Sequence, residues 1–138
     1  MQNLKKMLLL IAVALFVACE SEDGKWDAMK WKADNPVQIT DGVYNVKAEG
    51  EELSFTCMNY RYPWISNAVS GEEHYFTNRN NTHILEAEWF NAVISGNKLR
   101  IVFKPNKKPN EVSDIRHLKL IVTAGDIFYT FKFKQFAN

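Results

Sequence analysis

The sequence of 138 residues predicts an all-β domain: a sandwich of two antiparallel sheets with about seven short strands. Three observations carry that expectation. From Val37 onward apolar and polar residues alternate with period two, turn residues separate the runs, and no stretch beyond a turn or two keeps a helical period. Alternation buries one face of each strand and leaves the other wet, the habit of antiparallel sheets.

The N-terminus comes before the domain. Lys5 and Lys6 precede an unbroken apolar run from Met7 to Ala18, and Cys19 follows. Twelve apolar residues span about 18 Å as a helix, well short of a hydrocarbon core of about 30 Å. The run therefore reads as a signal-peptide core over residues 1–18 and not as a transmembrane anchor. Phe16-Val17-Ala18-Cys19 resembles the bacterial lipobox, with Phe16 where leucine is commoner. That resemblance implies a lipidated Cys19 and attachment to the membrane through the N-terminal lipid. Glu20, Glu22 and Asp23 then make an acidic cluster, similar to the tag that directs Bacteroidetes lipoproteins to the outside of the outer membrane. Residues 19–36 read as a tether, yet Trp26 and Trp31 are unusual in a floppy linker, and Trp31 is expected to touch the domain.

Within residues 37–138 the strands follow in order. Asp41-Gly42 marks a turn before Val43–Ala48, and Gly50-Glu51-Glu52 marks another. Leu53, Phe55 and Cys57 alternate with Ser54, Thr56 and Met58. Ile84–Val93 reads as one strand, with Leu85, Ala87 and Trp89 on one face and Glu86 and Glu88 on the other. Ser95-Gly96-Asn97-Lys98 is a hairpin signal leading to Leu99, Ile101 and Phe103. Leu118, Leu120 and Val122 precede the turn Ala124-Gly125-Asp126, after which Ile127, Tyr129, Phe131 and Phe133 form the closing run.

Composition narrows the function. Removing residues 1–18 takes away two lysines and no acid, so 17 basic residues become 15 against 16 acidic. A nearly neutral chain is a poor match for nucleic acid. With Cys19 lipidated, Cys57 stands alone and reads as a small core hydrophobe.

Residues 37–136 resemble the BACON domain, an immunoglobulin-like module of Bacteroidetes surface proteins. Glu52–Asn59 followed by Pro63-Trp64 is similar to its second strand and following tryptophan. Asn110, six residues before Arg116, is similar to its asparagine-to-arginine spacing, with Asn106 a rival in a lengthened Pro105–Pro109 loop. Leu118–Gly125 and the strand ending at Gln135 are similar to its C-terminal hairpin. The resemblance implies an immunoglobulin-like antiparallel sandwich and carbohydrate binding. BACON modules usually accompany a catalytic domain, and this sequence shows none, so a spacer role within one polypeptide is not expected. Physically, Arg116 and Gln135 near strand ends read as residues that satisfy backbone groups at a sheet margin.

Sugars present apolar C–H faces and many hydroxyls, so their sites pair exposed rings with polar side chains. Tyr60, Arg61, Tyr62 and Trp64, with His74, Tyr75 and the adjoining Phe76, are the candidates for ligand binding. Asn59, Asn67, Asn78, Arg79, Asn80 and Asn81 lie in or beside the same loops. The competing account makes Tyr62 and Trp64 caps over one end of the core. His74, His83 and His117 show no ligand spacing, so no metal site is expected. Glu86 and Glu88 share a face in this reading, as glycosidase carboxylates do, but solvent-facing strand glutamates are the commoner case. The expectation is a non-catalytic, cofactor-free surface lipoprotein that binds an extracellular ligand, a glycan first. The alternative is an accessory protein-interaction subunit of an outer-membrane complex, docking through a sheet edge or the Trp26/Trp31 segment.

Overall fold

A computed structural model describes residues 26–107 and 113–137, and it contains eleven strands and no helix among them. The signal and lipidation assignments at residues 1–18 and Cys19, and Asn110, lie outside the described residues.

Two sheets pack face to face. The first has five strands in the order β1 (Trp31–Ala33), β4 (Glu51–Cys57), β9 (Lys98–Phe103), β8 (Phe90–Ser95) and β7 (Ile84–Glu86). The second has six, in the order β2 (Ile39–Thr40), β3 (Val43–Val46), β11 (Phe128–Gln135), β10 (Arg116–Thr123), β5 (Trp64–Ser70) and β6 (Glu73–Phe76). The expected count of about seven is exceeded because the edges carry strands of only two to four residues, among them β1, β2 and β7. Runs that short show too little alternation to be seen in sequence.

The alternation seen in the sequence sets the core. Leu53, Phe55 and Cys57 point inward from β4, Leu99, Ile101 and Phe103 from β9, and Leu118, Leu120 and Val122 from β10. Phe131 and Phe133 meet Tyr44 and Phe55 between the sheets, with ring centroids 4.9–6.4 Å apart. Cys57 is buried and unbridged.

Three expectations need correction. Ile84–Val93 is not one strand: β7 and β8 form a hairpin, Ile84 opposite Val93, that reverses at Ala87–Trp89. A run apolar at Leu85, Ala87, Trp89 and Phe90 hides the reversal, because the turn residues also pack against the core. Second, the pairing is not antiparallel throughout, since β3 runs parallel to β11. Parallel neighbours need a long crossover, and almost the whole domain lies between these two. Third, part of the segment read as tether belongs to the sandwich. Met29 is buried in the core, and Trp31–Ala33 pairs with Cys57–Phe55. Trp31 does reach the domain, edge-on to Phe131 at 5.1 Å.

Two side-chain amides close one end. Gln135, buried at the end of β11, donates from Nε2 to the carbonyls of Lys47 (3.2 Å) and Lys104 (2.7 Å). Asn106, also buried, donates from Nδ2 to the carbonyls of Asp114 (2.7 Å) and Phe136 (3.2 Å). Gly50 turns beside them with φ 87°, and a Cβ there would stand 2.5 Å from the Phe103 carbonyl oxygen.

Candidate functional site

The loop after β4 and strand β6 hold the expected binding residues, and the structure uses them differently. Asn59 clamps the N-terminal segment from both sides. Its Oδ1 accepts from the Lys30 amide at 3.0 Å, and its Nδ2 donates to the Ala28 carbonyl at 2.8 Å. Tyr60 continues the clamp, donating from its hydroxyl to the Asp27 carbonyl and stacking on Trp26 with centroids 6.3 Å apart. Desolvation first, and then Asp27, pushes the Tyr60 phenol above its ordinary value. Arg61 and Tyr62 are exposed beyond it, and Trp64, half-buried, opens β5 opposite Thr123.

Strand β6 divides its aromatics by face. Tyr75 turns inward, edge-on to Phe90 at 5.2 Å, and its hydroxyl accepts from Trp89 Nε1 at 3.2 Å. His74 and Phe76 turn outward and stack on each other at 6.3 Å. Phe76 is 71% exposed, an unusual state for a phenylalanine on a strand.

Phe76 forms one wall of a cleft of about 360 Å³ on the flank of the sandwich, where the edge strands of the two sheets face each other. Asn78, Asn81, Ile84 and Glu86 complete its lining. The loop carrying the asparagines is held by its own bonds. Asn78 Oδ1 accepts from the Asn80 amide and Asn81 Oδ1 from the His83 amide, both at 3.1 Å, while the Asn81 amide donates to the Asn78 carbonyl at 3.0 Å. Both Nδ2 groups are left without protein partners among the described residues. The cleft thus offers an exposed ring, stacked on His74 at one side, with two fixed donors and one carboxylate acceptor. Those are the contacts that a sugar's C–H face and vicinal hydroxyls take.

Of the expected residues only Phe76 lines this cleft; Tyr60–Trp64 lie at the end of the sandwich, and His74 and Tyr75 lie on its flank. The sequence did place Asn78 and Asn81 beside the candidates. Three consecutive rings in His74-Tyr75-Phe76 give no clue to which face is buried, because every position in the run is ring-bearing.

The two glutamates separate. Glu86 belongs to the Phe76 cleft, and Glu88 lines another of about 530 Å³ with Trp89, Lys104, Pro105 and Arg116. Here the Arg116 guanidinium lies 5.1 Å from the centre of the Trp89 ring, so the ring face is already taken. Desolvation lowers the Arg116 pKa, against opposing effects of Tyr75 and Glu88. No group of three or more His, Cys, Asp or Glu side chains able to hold a metal occurs among the described residues.

No family model matches the chain, and no curated protein matches it. An NMR structure of a protein from Bacteroides thetaiotaomicron is similar, with 31% identity and a TM-score of 0.67, covering 84% of this chain and 92% of that one. A sandwich shared over nearly the whole of both chains, at that identity, places this chain in the same family as the Bacteroides thetaiotaomicron protein.

Proposed function

We propose that the protein is a non-catalytic lipoprotein, anchored by acylated Cys19 on the outer face of the outer membrane. Its immunoglobulin-like, BACON-type sandwich binds an extracellular ligand, a glycan before any other. The observation that carries the reading is the outward Phe76 ring beside the Asn78 and Asn81 amides and Glu86. An exposed ring keeps its hydration cost until a ligand covers it, and loop amides already fixed in place lose little entropy on binding.

Isothermal titration of the mature protein against soluble host and dietary polysaccharides tests the reading. One glycan class should bind saturably, and Phe76→Ala should weaken it about tenfold, near 1.4 kcal/mol, with far-UV circular dichroism unchanged. Silence across the panel, or full affinity in Phe76→Ala, would sink the cleft. Loss in Tyr62→Ala alone would move the contact to the exposed Arg61-Tyr62 loop.

The second reading is an accessory subunit that docks onto an outer-membrane complex through a sheet edge. Exposed Ile39 lies in edge strand β2, and exposed Phe136 lines two shallow clefts beside that strand. A partner seated there should bury several hundred Å² on each side.

A further inference from the structure

The end of the sandwich opposite Gln135 carries exposed apolar side chains that the glycan cleft does not use. Trp26 is 45% exposed, Phe128 59% and Tyr62 74%. All three lie where β10 turns into β11 and where the loop after β4 enters β5. Trp26 is held in place and does not dangle. Tyr60 stacks on it, Tyr60 and Asn59 fix the backbone that follows, and its ring edge rests on Gly125, where a Cβ would approach to 3.4 Å.

This is also the end at which the chain enters. Six residues separate Cys19 from Trp26, and the seven Cα steps between them, fully extended, reach about 25 Å. A lipid on Cys19 therefore keeps this end within that distance of a bilayer. Tryptophan and tyrosine combine an apolar ring with a polar tip, and they partition to the boundary between headgroups and acyl chains.

We propose that Trp26, Tyr62 and Phe128 form a foot that rests in the headgroup boundary of the membrane holding the anchor. The foot rests on the lipoprotein reading above. It orients the domain: the Phe76 cleft, on the flank between edge strands, stays in solvent, and the amide-closed end points away from the membrane. Arg61 and Lys30 are exposed at the same end, and so are Asp27 and Asp126, so apolar rings and not net charge would hold the foot at the boundary.

The test uses the mature protein, acylated in cells and reconstituted in phosphatidylcholine vesicles carrying lipids brominated near the headgroup. Tryptophan emission should be quenched in the wild type, and the quenching should fall by more than half in Trp26→Phe, half-buried Trp64 at the same end supplying the rest. Tyr62→Ser with Phe128→Ser, which keeps all four tryptophans, should reduce it as well. Emission that brominated lipid leaves unchanged, from protein whose mass shows acylation and which floats with the vesicles, overturns the foot and leaves the anchor standing. Quenching undiminished in Trp26→Phe also overturns it. A mass without acyl groups at Cys19 overturns anchor and foot together, since nothing then holds this end near lipid.

Discussion

The two ends of the sandwich are closed by opposite means. At one, Gln135 and Asn106 spend their amides on four backbone carbonyls, and both side chains are about as buried as the core phenylalanines. At the other, Asn59 and Tyr60 fasten an incoming segment at the surface, and Trp26 covers the turn at Gly125. A buried amide that pairs with backbone cannot be lost without leaving carbonyls stranded, whereas an exposed ring can be lost at little cost to the fold. The first end is fixed by buried amides with one ring, Phe136, exposed beside them; the second exposes Trp26, Tyr62 and Phe128 together.

The contrast breaks most sharply at Gly50. Any side chain there meets the Phe103 carbonyl and must also adopt a left-handed φ, so Gly50→Ala should cost more than about 3 kcal/mol. A fall in the urea midpoint large enough to leave the domain partly unfolded in buffer would show it. Next comes Gln135→Leu, which keeps the volume and strands the Lys47 and Lys104 carbonyls. A loss of about 2–4 kcal/mol is expected, read from the same curves.

Two tyrosines sharpen the comparison at high pH. Burial pushes the Tyr44 phenol above its ordinary value, with Tyr129 adding to the shift. The fold therefore favours the protonated phenol. That contribution is complete below the unfolded value of about 10 and is lost as pH rises through the higher folded value. Stability measured between pH 8 and pH 12 should fall along the upper part of that range, and Tyr44→Phe should flatten the fall. Tyr60→Phe, where the phenol is raised too but solvent screens it, should flatten the fall less. Smallest of all is the effect of Trp26→Phe on stability, within about 0.5 kcal/mol, even though the same change should remove most of the quenching by brominated lipid.

The sequence was most legible where strands are long and wet on one side. Leu53-Phe55-Cys57, Leu99-Ile101-Phe103 and Leu118-Leu120-Val122 all face the core as their alternation predicts. The sandwich was readable from them, and so was the hairpin at Gly96-Asn97, where Gly96 supplies a φ of 59°. Readable too was the role of Gln135 at a sheet margin, since a lone amide closing an apolar strand has backbone to satisfy. Hidden were elements whose partners are distant or whose faces look alike. The β7–β8 reversal vanished into a run of apolar residues, and the parallel β3–β11 pair joins segments about ninety residues apart. The candidate site was half visible. Its asparagines sat beside the expected loops, but Asn59 and Tyr60 looked like ligand contacts because composition does not reveal that residues 27–30 would occupy them.

The position of β11 has a consequence for how such a chain is made. Strand β11 lies in the middle of its sheet, between β3 and β10, although it is the last strand in sequence. β3 is formed early in the chain and meets on that side only residues that come some ninety positions later. A polypeptide made from its N-terminus can therefore zip up β4, β8 and β9 as they emerge, but the larger sheet must wait for residues 128–135. Completion of the core is thus timed to the end of synthesis: the larger sheet closes only when its last strand arrives.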